Sequence, residues 1–181
     1  FSISFAFFFN FLSFFFDKSM KWTPRNLTAV FLPCSAWKPY PYSQSHKYGY
    51  LRALRPILNE IDIFVVSEPM GIVPYCYSDE YPVDSYEYDP YSYFIGCLTK
   101  PLVKKAFKVF VGRVAFWLSF YSNRYQKILI LPKWHLKVFN EARKLLRKSA
   151  PMLAASDDFS IIGLRGRASN SVELIAKGLS L

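Results

Sequence analysis

Between Pro33 and His46 the chain reads P-C-S-A-W-K-P-Y-P-Y-S-Q-S-H, and no other stretch gathers so many reactive side chains. It holds a thiol (Cys34), an ammonium (Lys38), an imidazole (His46) and the hydroxyls of Ser35, Tyr40, Ser43 and Ser45. A thiol becomes a useful nucleophile when nearby positive charge or a helix dipole lowers its pKa. Lys38, His46 and the helix that follows are the groups that would do so here; the commoner fate of a single cysteine is to be buried and inert. Ser43 and Ser45 stand just before a helical pattern. Either suits an N-cap, and together with backbone N–H groups they suit a cradle for an anion or a carbonyl. His46 is then a general acid or base, or a hydrogen-bonding anchor. The other histidine, His135, falls on a predicted helix start away from this loop.

Three prolines (Pro33, Pro39, Pro41) fix φ and exclude regular helix or a central strand, so the stretch is a stiff loop. Its flanks must position it. Leu27 to Leu32 is a short apolar run stopped by Pro33, a buried strand. Tyr48, Leu51, Leu54, Ile57 and Leu58 recur at helical spacing with Arg52 and Arg55 between them, an amphipathic helix that Pro56 ends or kinks. Ile61 to Val66 is a second strand, followed by a loop from Ser67 to Pro74. Thr99 to Tyr121 reads as a long helix with Val103, Phe107, Phe110, Val114 and Trp117 inward. Lys127 to Leu131 is a third strand and Phe159 to Leu164 a fourth. Between them, Trp134 to Lys148 is a helix with Leu136, Phe139, Ala142 and Leu146 inward, and Ser171 to Leu179 forms a last helix.

Strands alternating with helices predict an α/β fold: three layers, a mostly parallel sheet with helices on both faces. Ligands of such sheets bind outside the carboxyl ends of the strands. The Pro33–His46 and Ser67–Pro74 loops leave the same edge, so two sequence features converge on one site. The stretch from Pro74 to Tyr93 is rich in tyrosine and carries Asp79, Glu80, Asp84, Glu87 and Asp89. It reads as a long loop whose rings can stack on bases and whose carboxylates can bind an amine, or as a solvated lid.

The 181 residues suit one domain, and the formal charge of +10 favours an anionic partner, nucleic acid ahead of a membrane surface. Lys100–Lys108, Arg143–Lys148 and Arg165 with Arg167 are its basic clusters. Three cysteines without a C-x-x-C pair argue against a disulfide framework or zinc ribbon and fit a reducing cytoplasm. No phosphate loop, dinucleotide fingerprint, H-E-x-x-H or G-x-S-x-G motif occurs, so no cofactor is called for. The Phe- and Ser-rich run Phe1–Phe16 has three readings. It is short for a transmembrane helix, and it lacks the basic start of a signal peptide. The third reading sets residues 1–19 apart as a non-native, disordered or hydrophobic extension. Residues 20–181 then form a single domain, with no membrane attachment if the native chain starts at Met20.

The loop resembles the signature P-C-S-x-x-K-P-Y-x-x-S-x-S-H of the archaeosine synthase family of archaeal tRNA-modifying enzymes. Its nine fixed positions are filled by Pro33, Cys34, Ser35, Lys38, Pro39, Tyr40, Ser43, Ser45 and His46. Ser67 to Pro74 (S-E-P-M-G-I-V-P) is similar to the family's S-x-P-L-G-V-V-P. Tyr81-Pro82 with Tyr86-Glu87 is similar to Y-P-x-x-x-Y-D; Glu87 departs from the pattern, and Tyr88-Asp89 is the other match.

The resemblance implies a uracil-DNA-glycosylase-like α/β fold and a transferase acting on 7-cyano-7-deazaguanine in tRNA. Lysine would be the co-substrate added to the nitrile, with a radical SAM protein completing archaeosine. By the chemistry of their side chains Cys34, Ser35, Lys38 and His46 are the catalytic candidates, and Tyr40, Ser43, Ser45, Ser67, Gly71, Tyr86, Glu87 and Asp89 the candidate substrate contacts. Full-length members carry transglycosylase-like and PUA regions for which this chain has no room, implying a free-standing catalytic domain helped in trans. The alternative is a non-catalytic tRNA-binding subunit.

Overall fold

The apolar run T-A-V-F-L-P becomes the central strand of the sheet. In the computed structural model β1 is Thr28–Pro33, buried along nearly its whole length. The structure describes residues 12–68, 70–85, 100–131, 133–149 and 160–163, and residues 173, 175, 177 and 179 of the last helix. Strand β1 pairs in parallel with β2 (Asp62–Ser67) on one side and with β4 (Lys127–Ile130) on the other. Strand β5 (Ser160–Gly163) continues the parallel set beyond β4. The order is β3-β2-β1-β4-β5, with β3 (Gly71–Pro74) antiparallel to β2.

The four expected strands are present and parallel, and the sheet is mixed because of a fifth. Gly71–Pro74, expected within a loop, turns back along β2, pairing Ser67 with Gly71 and Phe64 with Pro74. Only Ile72 and Val73 separate a glycine from a proline there, which is turn chemistry by composition. Gly71 makes the reversal possible. Its φ is +98°, and a Cβ on it would lie 3.1 Å from the Arg113 Cβ and 3.5 Å from the Phe15 ring.

Period-two alternation sends successive side chains of the strands to opposite faces. Ala29, Phe31, Phe64, Val66, Ile128 and Ile130 face helix α2 (Lys100–Tyr121) and helix α3 (Lys133–Ser149). Phe31 anchors that layer, stacked on Phe64 at 5.1 Å and edge-on to Trp117 (5.4 Å) and Phe139 (4.8 Å). Val30, Leu32, Leu129 and Leu131 face the other way, toward Leu54, Ile57, Ile175 and Leu179. Leu54 belongs to helix α1, which is π-helical over Ser45–Tyr50 and α-helical over Leu51–Leu54 before a 3-10 turn at Arg55–Ile57. Pro56 thus ends the regular helix as its missing N–H requires. Helices cover both faces, as the alternation predicts.

The run set apart in the sequence joins the packing where it is described. Residues 12–17 are helical, and Phe14 and Phe15 are buried. Lys18 pairs with Glu80 at 2.9 Å, and the Tyr121 hydroxyl donates to the Met20 and Trp22 carbonyls. Asp62, buried at the start of β2, holds the approach to β1. Its carboxylate accepts from the Arg25 N–H (2.9 Å), the Asn26 side chain (3.1 Å) and the Tyr125 hydroxyl (2.8 Å). No helix among the described residues is long and apolar enough to cross a membrane.

Candidate functional site

The chain after β1 enters α1 and returns as β2 on one side; the chain after β4 enters α3 and returns as β5 on the other. The strand order therefore reverses between β1 and β4, and the ligand crevice of such a sheet lies outside their carboxyl ends. The Pro33–His46 loop leaves that point. Register places Pro33 opposite Val66, so Cys34 and Ser67 emerge side by side, with Gly71 paired to Ser67. The convergence expected of the two loops is realised for Cys34, Tyr40, Ser67 and Gly71. His135 lies in the first turn of α3, which follows the carboxyl end of β4, where the Leu131 N–H donates to the Phe31 carbonyl at 3.1 Å. Its ring is buried, and its Nδ1 has no hydrogen-bond partner among the described residues.

His46 organises the loop. It is fully buried, with Nε2 2.9 Å from the Pro33 carbonyl and Nδ1 3.1 Å from the Tyr75 hydroxyl. A carbonyl only accepts, so Nε2–H donates to Pro33 and Nδ1 accepts from Tyr75. Its ring stacks on Tyr40 (5.5 Å) and Tyr75 (5.7 Å) and meets Tyr50 edge-on. Burial pushes the imidazole pKa down to about 4, against a small upward pull from the Pro33 carbonyl. With both nitrogens engaged and the ring neutral, His46 has the geometry of the anchor, fastening the end of β1 to the start of α1.

The hydroxyls divide between frame and surface. The Tyr40 hydroxyl and Ser67 Oγ, both buried, lie 2.8 Å apart. Ser43 donates to the Tyr40 carbonyl (2.9 Å) and accepts the His46 N–H (3.3 Å), so the capping role falls to Ser43. Ser45 is exposed, 3.4 Å from Ser43. Ser35 accepts the Trp37 N–H at 3.3 Å and shapes the bend.

Cys34 packs against the buried cluster that Phe14, Tyr40, Val65, Met70, Val73 and Val83 form. The thiol is enclosed although the residue keeps some exposed surface, and burial pushes its pKa up to about 11. The Glu68 carboxylate adds to the rise; Lys38 and the backbone N–H groups of Cys34 and Glu68 pull the other way. The expected lowering does not occur, because the apolar cluster outweighs the single cation and because His46 is uncharged. Glu68 and Tyr75 are the neighbours that pattern reading left out. Glu68 was visible as the one acid in S-E-P-M-G-I-V-P. Nothing in the sequence tied Tyr75 to His46.

Tyr86, Glu87 and Asp89 lie outside the described residues, as do Arg165, Arg167 and the side chain of Lys100. Of the other basic side chains, Lys104, Lys105 and Lys108 are exposed on α2, and Lys137, Lys144, Arg147 and Lys148 on α3. Lys144 pairs with Glu141 at 2.8 Å. Among the described residues no three His, Cys, Asp or Glu side chains are grouped to share a metal ion.

Residues 13–93, which include this loop and strands β1 to β3, match the family described as "Domain of unknown function (DUF5591)". The chain is 32% identical over 116 residues to archaeosine synthase subunit alpha of Thermoplasma acidophilum, covering 63% of this chain and 20% of that protein. It is 30% identical over 103 residues to the protein of the same name from Methanosarcina acetivorans, covering 52% and 16%. The chain thus spans about a fifth of the length of these relatives. Its fold is similar to that of the crystal structure of AF0587, a protein of unknown function, with a TM-score of 0.53 at 16% identity over 93% of this chain and 50% of that one.

Proposed function

We propose that this chain acts in archaeosine modification of tRNA in the cytoplasm, adding an amine, with lysine as donor, to the nitrile of 7-cyano-7-deazaguanine. The observation that carries the reading is the Pro33–His46 loop. It resembles the family signature at nine positions and is held by hydrogen bonds of Tyr40 and His46 at the carboxyl end of the central strand. Relatives named archaeosine synthase subunit alpha support it. In the proposed chemistry the Cys34 sulfur bonds to the nitrile carbon and the thiol proton ends on the nitrile nitrogen, giving a thioimidate. The neutral amine then adds and the sulfur leaves with a proton, giving an amidine. Glu68, whose charge acts on the thiol, would carry that proton. Ser35, Ser45 and backbone N–H groups would hold the developing negative nitrogen. Tyr86, Glu87 and Asp89 remain candidate substrate contacts. A transglycosylase-like or PUA-containing protein is a candidate partner, and a radical SAM protein would act on the product.

A second reading, a tRNA-binding subunit without chemistry of its own, is favoured by the protonated Cys34 thiol and the saturated His46. Incubation with nitrile-bearing tRNA and labelled lysine, followed by nucleoside mass spectrometry, separates the two. The catalytic reading expects the adduct with wild type and its loss in Cys34→Ala. Tight tRNA binding without adduct establishes the binding subunit, and full activity of Cys34→Ala removes the sulfur from the chemistry.

A further inference from the structure

The same loop that turns Tyr40 and His46 inward turns three other aromatic rings outward. Trp37 is 80% exposed, Tyr42 69% and Tyr48 62%. All three lie within twelve residues, on the segment that frames the site. Rings of this size are rarely left in water on so short a stretch unless something covers them. The charge of the segment indicates what does. From Cys34 to Arg55 the chain carries Lys38, Lys47, Arg52 and Arg55 and not one aspartate or glutamate. Lys47, Arg52 and Arg55 are exposed, and the Lys47 ammonium stands over the Tyr48 ring at 5.3 Å. An apolar protein partner would meet the exposed cations Lys47, Arg52 and Arg55 here. A single-stranded nucleic acid meets what it needs, flat faces for its bases and positive charge for its phosphates.

The backbone that carries the rings is also held in place beforehand. The Trp37 N–H is bonded to Ser35 Oγ, the Tyr42 N–H to the Pro39 carbonyl (3.1 Å) and the Ser43 N–H to the Tyr40 carbonyl (3.0 Å). The Lys47 N–H donates to the Ser43 carbonyl at 2.8 Å. Stacking on a fixed loop costs little ordering entropy.

We infer that Trp37, Tyr42 and Tyr48, with Lys47, Arg52 and Arg55, form a stacking platform for unpaired RNA bases beside the site. It is the rim over which an opened tRNA strand reaches Cys34. This rests on the reading that the chain acts on tRNA, and it moves the principal RNA contact from the lysine-rich outer faces of α2 and α3 to the loop and α1.

The test uses an unmodified, fluorescein-labelled 12-nucleotide RNA, so that it does not depend on nitrile chemistry, with heparin as a polyanion that has no bases. Wild type should bind the RNA with quenching of tryptophan fluorescence. Trp37→Ala should weaken RNA binding roughly 10-fold, and Trp37→Phe should stay within about threefold of wild type. Both should bind heparin as wild type does. Lys47→Ala should instead weaken both ligands and lower the salt slope of RNA binding by about one. RNA affinity unchanged in the Trp37→Ala, Tyr42→Ala, Tyr48→Ala triple variant overturns the platform while leaving the tRNA reading in place. Heparin binding lost along with RNA binding overturns it too, since the variant then acts through charge or fold. Wild type that binds neither the 12-mer nor nitrile-bearing tRNA overturns both readings and leaves the rings to a protein partner.

Discussion

Replacing His46 by phenylalanine separates an anchor from an acid or base. Phenylalanine keeps the ring between Tyr40, Tyr50 and Tyr75 but removes the 2.9 Å bond to the Pro33 carbonyl and the 3.1 Å bond from Tyr75. Two hydrogen bonds and one carbonyl stranded at a fully buried position amount to about 2–4 kcal/mol. For a chain of this size that is a fall in Tm of roughly 5–15 °C. The pH dependence is the sharper readout. The imidazole pKa is about 4 when folded against an ordinary 6.5, so between these values the unfolded chain binds a proton that the folded chain does not. Stability is full above about pH 6.5 and is lost as the pH falls toward 4, by about 3 kcal/mol from this residue. His135, whose burial likewise lowers it to about 4, contributes in the same window. The phenylalanine variant should therefore lose about half of the stability difference between pH 7 and pH 4, measured by urea unfolding at constant m. With only two histidines in the chain, their NMR titrations can be assigned from the single variant. A His46 that titrates near 6.5, or an activity profile whose limb near that pH vanishes in His46→Phe, would refute the anchor and restore a general base.

Two further substitutions probe the neighbours of the thiol. Glu68→Gln removes the carboxylate that helps hold the Cys34 pKa near 11. Alkylation of Cys34 at pH 8, followed by site-resolved mass spectrometry, should speed about tenfold for every 1.4 kcal/mol of repulsion removed. Adduct formation on tRNA should fall in the same variant if Glu68 carries the proton. An unchanged alkylation rate rejects the electrostatic account. Gly71→Ala combines a left-handed φ with a Cβ 3.1 Å from the Arg113 side chain. It should destabilise by about 2–3 kcal/mol in urea unfolding, and a variant of wild-type stability would show that β3 can shift to admit the methyl.

What was legible in the sequence follows from what carries a local signal. The strands β1, β2, β4 and β5 and helices α2 and α3 have apolar runs or stripes with the period of their element. The order of strands and helices then brings the Cys34 and Ser67 loops to one edge. Two things were not legible. Strand β3 has two apolar residues between Gly71 and Pro74, too few for a period, and it exists because β2 offers an edge to pair with. The run before Met20 has no period either; Phe14 shows its role only once the cluster around Tyr40, Met70 and Val73 is assembled, and Phe15 only where it meets Phe116.

The state of the thiol belongs to a third kind. The residue types around Cys34 include a lysine and a histidine, and both point toward a lowered pKa when read as a string. The fold reverses the sign, because it spends the histidine on Pro33 and Tyr75 and surrounds the sulfur with apolar side chains and Glu68. A protonated thiol is poorly reactive toward adventitious electrophiles at rest. For the proposed reaction it has a further consequence: the proton that the nitrile nitrogen needs is already in the site, one bond from the attacking atom. A thiolate would attack faster but would leave a thioimidate anion that must take its proton from another group. The raised pKa thus slows attack on either electrophile, and what it offers addition to a nitrile is the proton that the nitrogen must receive.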